Sequence, residues 1–391
     1  MLLGFKTELH PNNKQKTILA KHAGVARHAW NWGLWLTKNI LNHNSHNPAR
    51  DKLKFPSAID LHKLLVAMVK PQNFWYYEVS KTAPQYALRY LSLAWKRCFS
   101  KVSGIPKFKK KGRDDSFTLD GSISLGFNHI KLPRIGWIKT FEVLPDNVTA
   151  KSVTITKKAG RWFISFKIET EPQVTEKLVD VVGVDLGVKS LATLSTGEVF
   201  VGAKSYKKLE TKLSRLQYLN RHQVKFSKNW KKAQLKIAQL HNRIANIRKD
   251  TLHKLTTYLA KNHSQIVIED LNVSGMMANH KLAKAVADMG FYEFRRQLEY
   301  KCELYGSQLT VVDRWFPSSK TCSNCGNVKE SLSLSERVFK CEYCNFSCDR
   351  DLNAALNLAM AGSSSVSVCG LDNADVARWE AGIEQIIYRK S

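Results

Sequence analysis

Two C-x₂-C pairs, Cys322/Cys325 and Cys341/Cys344, stand fifteen residues apart. Each pair sets two thiolates on one tight turn, and two such turns complete a tetrahedral site. Gly326, directly after the first pair, suits the turn. All four positions are filled by protein, so the spacing predicts one structural Zn²⁺ with no place for water. Cys348 lies nearby, but its spacing matches neither pair. The chain has eight cysteines, and with four of them in metal spacing it fits a reducing compartment better than a disulfide framework.

Three acidic residues bracket this module. Asp185 sits in Gly183-Val184-Asp185-Leu186-Gly187, mid-way along a nearly continuous apolar run that predicts a strand from Val181 to Leu194. A lone carboxylate there carries a large desolvation cost unless it binds a cation or pairs. Glu269 closes a second apolar strand, Ile266-Val267-Ile268-Glu269, and Asp351 opens a helix seven residues after Cys344. Two adjacent strand carboxylates with a third from a helix is how a pair of Mg²⁺ ions is held for phosphodiester hydrolysis. The residues alone leave choices open. Glu269 is followed by Asp270, and Asp349, a natural helix N-cap, precedes Asp351. A cap or an ion-paired residue is the plain alternative at each position.

Charge narrows the partners. The chain holds 61 Lys+Arg against 33 Asp+Glu, a net +28, and an excess of that size repels itself unless a polyanion neutralises it. Nucleic acid is therefore the expected partner. No segment is apolar enough to span a bilayer, and the first residues, with Lys6 and a polar run from Asn12 to Lys16, do not form a signal peptide. A cytoplasmic protein is expected. At 391 residues and 43% hydrophobic content there is room for two or three folded domains.

Along the chain, residues 2–9 predict a short strand ended by His10-Pro11. Helical periodicity follows from Asn13 to about Asn42, again after Pro56, and from Pro84 to Phe99. Trp30 reads as helix packing. A basic loop, PKFKKKGR, carries Lys109, Lys110 and Lys111. Such a run is commonly a solvated loop, and the total charge makes it a candidate for phosphate contact. Residues 115–170 turn to short strands, the clearest being a hairpin with Val153–Thr156 and Trp162–Ile168 about a Lys-Lys-Ala-Gly turn. They predict a small antiparallel barrel or sheet with the helical block 11–100 inserted after its first strand. Residues 171–180 read as a linker, and 204–260 as a long helical hairpin with seams Leu209/Leu213/Leu216 and Leu240/Ile244/Ile247. From Lys204 to Lys249 there are fourteen Lys/Arg and one acid, Glu210, a stretch expected to lie along a nucleic-acid backbone. The tail from Gly362 carries no motif, and a short helix is expected around Asp375–Ile387.

Several stretches together resemble the transposon-encoded TnpB proteins, also called OrfB zinc-ribbon transposases, relatives of type V CRISPR effectors. They are GVDLGVKSLATLS (183–195), IANIRKDTLHKLT (244–256), IVIEDLNVSGM (266–276), VVDRWFPSSKTCSNCG (311–326) and CDRDLNAALNLA (348–359). Looser matches are RHAWNWGL (27–34) and GIPKFKKKGRDDSF (104–117). The resemblance implies an α/β multidomain protein. An RNase H-like (RuvC-type) nuclease domain, 179–317 and 346–391, would carry the zinc ribbon at 318–345. A β-barrel wedge domain, 1–10 and 101–178, would carry a helical recognition domain at 11–100. By that match the catalytic triad is Asp185, Glu269 and Asp351, holding two Mg²⁺ ions. The family binds a guide RNA transcribed from the end of its own transposon and cuts matching double-stranded DNA beside a short transposon-associated motif. One protein per RNA and a prokaryotic, nucleoid-associated location follow. Lys81 and Gln85 are candidates for reading the motif, against an ordinary helix surface. Arg314, Lys320 and Arg350 are candidates for holding the DNA strand, with a balancing salt bridge the alternative for Arg350.

Two other functions stay open at this level. RNase H-like sites also run strand transfer, as the traditional family name suggests, although no HUH-type histidine pair with a nucleophilic tyrosine is present. A non-catalytic nucleic-acid-binding regulator is the third reading, disfavoured by an intact triad.

Overall fold

The computed structural model describes residues 1–113, 115–146, 148–333 and 335–367. The chain divides into two units, Met1–Thr170 and the part from Glu171 onward. The helix expected around Asp375–Ile387 lies outside the described residues.

In the first unit, β1 (Leu2–His10) leads into the 34-residue α1 (Asn13–His46). Asn12 caps α1 by accepting from Gln15 N, while the Gln15 side chain accepts from Asn12 N, a reciprocal capping box. The buried stripe Leu19, Ala23, Ala26, Trp30, Leu34 recurs at helical spacing. It packs on α3 (Thr82–Phe99), with the short α2 (Ala58–Leu64) alongside. Gly33 allows the close approach, since a Cβ there would lie 2.8 Å from Leu88 Cδ2. Six strands follow: β2 (Ser116–Asp120), β3 (Ser124–Leu125), β4 (His129–Leu132), β5 (Gly136–Thr140), β6 (Ser152–Lys158) and β7 (Arg161–Glu169). The β6–β7 turn is Ala159-Gly160, both at positive φ (50° and 81°), the backbone that a two-residue hairpin favours.

The seven strands form one antiparallel sheet in the order β2-β6-β7-β1-β5-β4-β3. The expected barrel is not closed. β2 and β3 stand at opposite edges, and β3, two residues long, offers almost no ladder for β2 to join.

The second unit begins with β8 (Val179–Asp185), so the linker is shorter than expected. The apolar run to Leu194 is not one strand. It breaks after Asp185, reverses, and resumes as β9 (Ala192–Leu194), with Asp185 opposite Thr193. Asp185 thus ends a strand rather than interrupting one. After β10 (Val199–Phe200) come α4 (Ser205–Arg221) and α5 (Lys228–Asn262), packed through Leu213, Leu240 and Ile244. Ile247 falls off the expected seam, 37% exposed. Of the fourteen cations from Lys204 to Lys249, all but Lys204 and Arg248 are exposed. The end of α5 then turns to the sheet through Leu252, Leu255 and Leu259.

The chain continues through β11 (His263–Glu269), α6 (Val273–Ala278), α7 (Ala283–Met289), α8 (Phe291–Tyr305) and β12 (Gln308–Val312). Two further strands, β13 (Val338–Lys340) and β14 (Ser347–Asp349), precede α9 (Arg350–Ser367). The five-stranded sheet has the order β10-β9-β8-β11-β12, with β8, β11 and β12 parallel. Val182, Val184, Ile266 and Ile268 face Leu255, Leu259, Phe294 and Leu298. Gly183 and Val267, on the other face, meet α9. Among the described residues no helix is long and apolar enough to cross a membrane.

Candidate active site and metal centre

β8 and β11 run parallel with Val184 opposite Ile268, so one residue further on Asp185 and Glu269 end neighbouring strands side by side. The third carboxylate arrives on α9. That helix lies so close to β8 that a Cβ on Gly183 would sit 1.9 Å from Ala355 O and 2.6 Å from Ala359 N. Only glycine permits the approach, and it brings Asp351, one turn before Ala355, to the carboxyl end of the sheet.

Electrostatics reports the convergence. Burial first, then the negative charges of Asp351 and Glu269, push the Asp185 carboxyl up to about 7, with Arg350 opposing. Glu269 is also raised, by burial and then by Asp270. None of these three side chains has an ion-pair or hydrogen-bond partner among the described residues. Clustered carboxylates without partners are unfavourable until a cation joins them, and hard oxygen ligands of this kind fit divalent ions such as Mg²⁺.

The neighbouring acids are engaged elsewhere. Asp270 pairs with Arg314 and, at 2.7 Å, with Arg295, and these bonds hold its carboxyl below the ordinary range. Asp349 caps α9, its Oδ1 accepting from Asp351 N at 2.9 Å and Leu352 N at 3.2 Å.

The four cysteines converge differently. Cys322 and Cys344 Sγ are 3.6 Å apart, as are Cys325 and Cys341 Sγ, and all four lie within 4.8 Å of one another. A tetrahedron with Zn–S arms of 2.3 Å has edges of about 3.8 Å, so the thiols fit one zinc ion. Hydrogen bonds from Asn324 Nδ2 and the Phe346 amide favour the thiolate at Cys344 and hold its thiol below the ordinary range. Among the described residues this is the one group of His, Cys, Asp and Glu whose ligand atoms gather so tightly. Cys348 pairs with Phe339 in the β13–β14 ladder, which carries the ribbon to Asp349, past the expected boundary at 345.

The ribbon is fastened to α9 by residues outside the cysteine spacing. Asn353 accepts from Ser323 N at 3.0 Å and donates to Thr321 O at 2.7 Å, while Asn357 donates to Ser318 O and Thr321 O at 2.7 Å. Both are buried beside Ala354, Ala355, Leu358 and Ala359 of α9. Two asparagines four residues apart on an apolar face were the available signal.

The other candidates scatter. Arg350 donates to Ser333 O and Glu336 O in the ribbon, not to an acid, and Lys320 donates to Glu330 O. Lys81 is exposed just before α3 and Gln85 half-buried in its first turn. Lys109, Lys110 and Lys111 lie in an irregular loop, where Lys109 Nζ covers the Trp30 ring at 4.4 Å.

Three family profiles match the chain. OrfB_IS605, described as "Probable transposase", covers residues 163–280; the Cas12f1-like TNB domain covers 291–358; and the helix-turn-helix domain HTH_OrfB_IS605 covers 1–45, which here form a strand and a single helix. InsQ of Escherichia coli (strain K12), named as an RNA-guided DNA endonuclease, is 35% identical over 94% of each chain. A Streptomyces pristinaespiralis protein named as an RNA-guided DNA endonuclease is 39% identical over 75% of this chain and 74% of its own. Among solved structures, the mini-RNA-guided endonuclease CRISPR-Cas_phi3 aligns over 92% of each chain with a TM-score of 0.51 at 11% identity, a likeness of fold alone.

Proposed function

The chain belongs to the OrfB (TnpB) family of RNA-guided DNA endonucleases, and from that premise we propose that Asp185, Glu269 and Asp351 are its catalytic carboxylates. The protein is a transposon-encoded RNA-guided DNA endonuclease. The observation that carries the assignment is that the parallel ends of β8 and β11 and the start of α9, packed on Gly183, bring the three acids to one end of the sheet. The three carboxylates would hold two Mg²⁺ ions, which would supply an activated water and a stabilised leaving oxygen for hydrolysis of a phosphodiester. The chain's own part is to hold three ionised carboxylates on rigid strand and helix ends. Asp270, occupied by Arg295 and Arg314, stays out of the ligand set. Zinc in the ribbon fixes structure only, and Arg350 and Lys320 act by shaping it.

The partners are a guide RNA from the transposon end and a matching DNA duplex in the bacterial cytoplasm. The exposed cations of α4 and α5 neutralise phosphates, leaving sequence choice to base pairing. The seven-stranded sheet acts as the wedge and residues 11–100 as the recognition part. Lys81 and Gln85 contact the flanking motif, Lys109, Lys110 and Lys111 a phosphate backbone, and Arg314 the DNA strand.

The test is to express the chain with its downstream flank and sequence the RNA that co-purifies. The complex is then given matched duplex DNA beside a randomised flank, with Mg²⁺ or EDTA. Guide- and Mg²⁺-dependent cuts with one flank enriched are the expected result. Bound RNA without cleavage removes the catalytic assignment, and joined rather than hydrolysed ends favour strand transfer.

A further inference from the structure

A cavity of about 730 Å³ opens between α1 and the segment before α3. That is a size at which pockets take small planar groups. Its walls are aromatic. Trp35 and Trp75 line it while 55% and 38% exposed, joined by Trp32 and His28. Trp75 is held stiffly. The Trp75 ring stacks on buried Tyr76 at 4.5 Å, His28 meets the Trp75 edge at 5.0 Å, and His28 Nδ1 shares a 2.8 Å hydrogen bond with the Tyr76 hydroxyl. Solvent-exposed tryptophans on a rigid wall are poor folding choices and good contact surfaces.

The charges of the cavity are already balanced. Arg27 pairs with Asp115 at 2.7 Å and Lys21 with Glu78, so the cavity suits a neutral ring better than a phosphate. A run of positive charge lies beside it. The basic loop from Lys107 to Arg113 is pinned to this wall. Trp30 Nε1 donates to Lys107 O at 3.0 Å, Asn31 exchanges two bonds with the Lys109 backbone, and Gly112 N donates to the same Asp115. A neutral aromatic slot next to a fixed cationic strip matches one nucleotide unit, base in the slot and backbone along the strip.

We infer that this cavity holds an unpaired nucleobase of the bound RNA, stacked against Trp35 and Trp75, with the adjoining phosphates on the 107–113 loop. The inference rests on the proposed RNA-guided function. RNA is the occupant because its loops keep bases unpaired and stackable throughout, whereas target DNA arrives stacked and paired. His28, Lys21 and Glu78 are the polar side chains that line the cavity with Arg27 and Asn31.

The experiment uses the full-length protein with its co-purified RNA, probed by dimethyl sulfate and by titration of refilled RNA. One or two unpaired bases protected in the wild type should become reactive in Trp35→Ala and in Trp75→Ala. Affinity should weaken roughly tenfold per substitution, the loss of one stacking contact of about 1.4 kcal/mol. Trp35→Phe and Trp75→Phe, which keep a ring, should restore protection. Trp35 is mostly exposed, so Trp35→Ala folds, which an unchanged melting temperature verifies. Unchanged protection and affinity in both alanine variants overturns the inference while leaving RNA-guided cleavage standing. Protection moving to the displaced DNA strand overturns the choice of RNA. A wild type that retains no RNA sinks the functional reading and this inference together.

Discussion

The cysteine cluster and the carboxylate cluster are both sets of residue types that can ligate metals, and they are built by opposite means. The cysteines come from one short stretch, 322–344, and their sulfurs close on one another within 4.8 Å. The carboxylates come from positions 185, 269 and 351, on two strands and a helix, and do not gather as tightly. A closed cage has no room for substrate and stabilises a fold. An open set on rigid element ends keeps coordination positions for water and phosphate. By that contrast the ribbon has the build of a support, and the end of the sheet has the build of the proposed reactive centre. Asn353, Asn357 and Arg350 join the two, because they grip the ribbon from the helix that carries Asp351.

The largest expected effect lies on the closed site. Structural zinc contributes on the order of 10 kcal/mol to small ribbons, so Cys322→Ser should abolish bound zinc and unfold the ribbon. Zinc content and proteolysis around 318–349 check this. Cleavage should fall with it, since the start of α9 loses its fastening. A variant that keeps zinc and fold would remove the structural role.

Gly183→Ala tests how the open site is assembled. The added methyl meets the Ala355 carbonyl and the Ala359 amide, backbone that cannot swing aside. Overpacking should cost about 1–3 kcal/mol or more, read as a lower melting temperature. Displacing Asp351 should lower cleavage by about a hundredfold, beyond what stability explains. Activity that tracks stability alone would show that the helix position is not critical.

A pH series separates the clusters further. With its carboxyl raised to about 7, Asp185 takes up a proton on folding. That contribution is full below the ordinary carboxylate range and is lost as pH rises through about 7, at up to about 1.4 kcal/mol per unit. Metal-free protein should therefore lose stability from about pH 5 to about pH 8, Mg²⁺ should cancel the loss, and Asp185→Asn should flatten it. A flat wild-type profile would contradict the crowded-carboxylate picture. The smallest effect is expected from Asp270→Asn. Its pairs with Arg295 and Arg314 are partly exposed, and cleavage should change less than about tenfold.

These contrasts also explain what the sequence could reveal. The cysteine pattern is local, so spacing alone announced the ribbon. The 153–168 hairpin was legible for the same reason, its alternation and turn lying within one window. The break after Asp185 was not, because an apolar run looks the same whether it forms one strand or two. Gly136–Thr140 was missed as a strand, its short alternation giving little signal, and barrel closure could not be read from strand count. Which acid of Glu269/Asp270 stays unpaired depends on Arg295 and Arg314, tens of residues away. Gly183 gives no signal of its own in the sequence, and its purpose appears only when α9 lies across it. The Trp35/Trp75 cavity likewise needs two segments side by side.

One comparison bears most directly on the account: wild type and Asp185→Ala, each loaded with its co-purified RNA, given the same matched duplex in Mg²⁺. Equal binding of RNA and duplex is expected, with cleavage in the variant lower by several orders of magnitude. Cleavage at the wild-type rate in Asp185→Ala would contradict it.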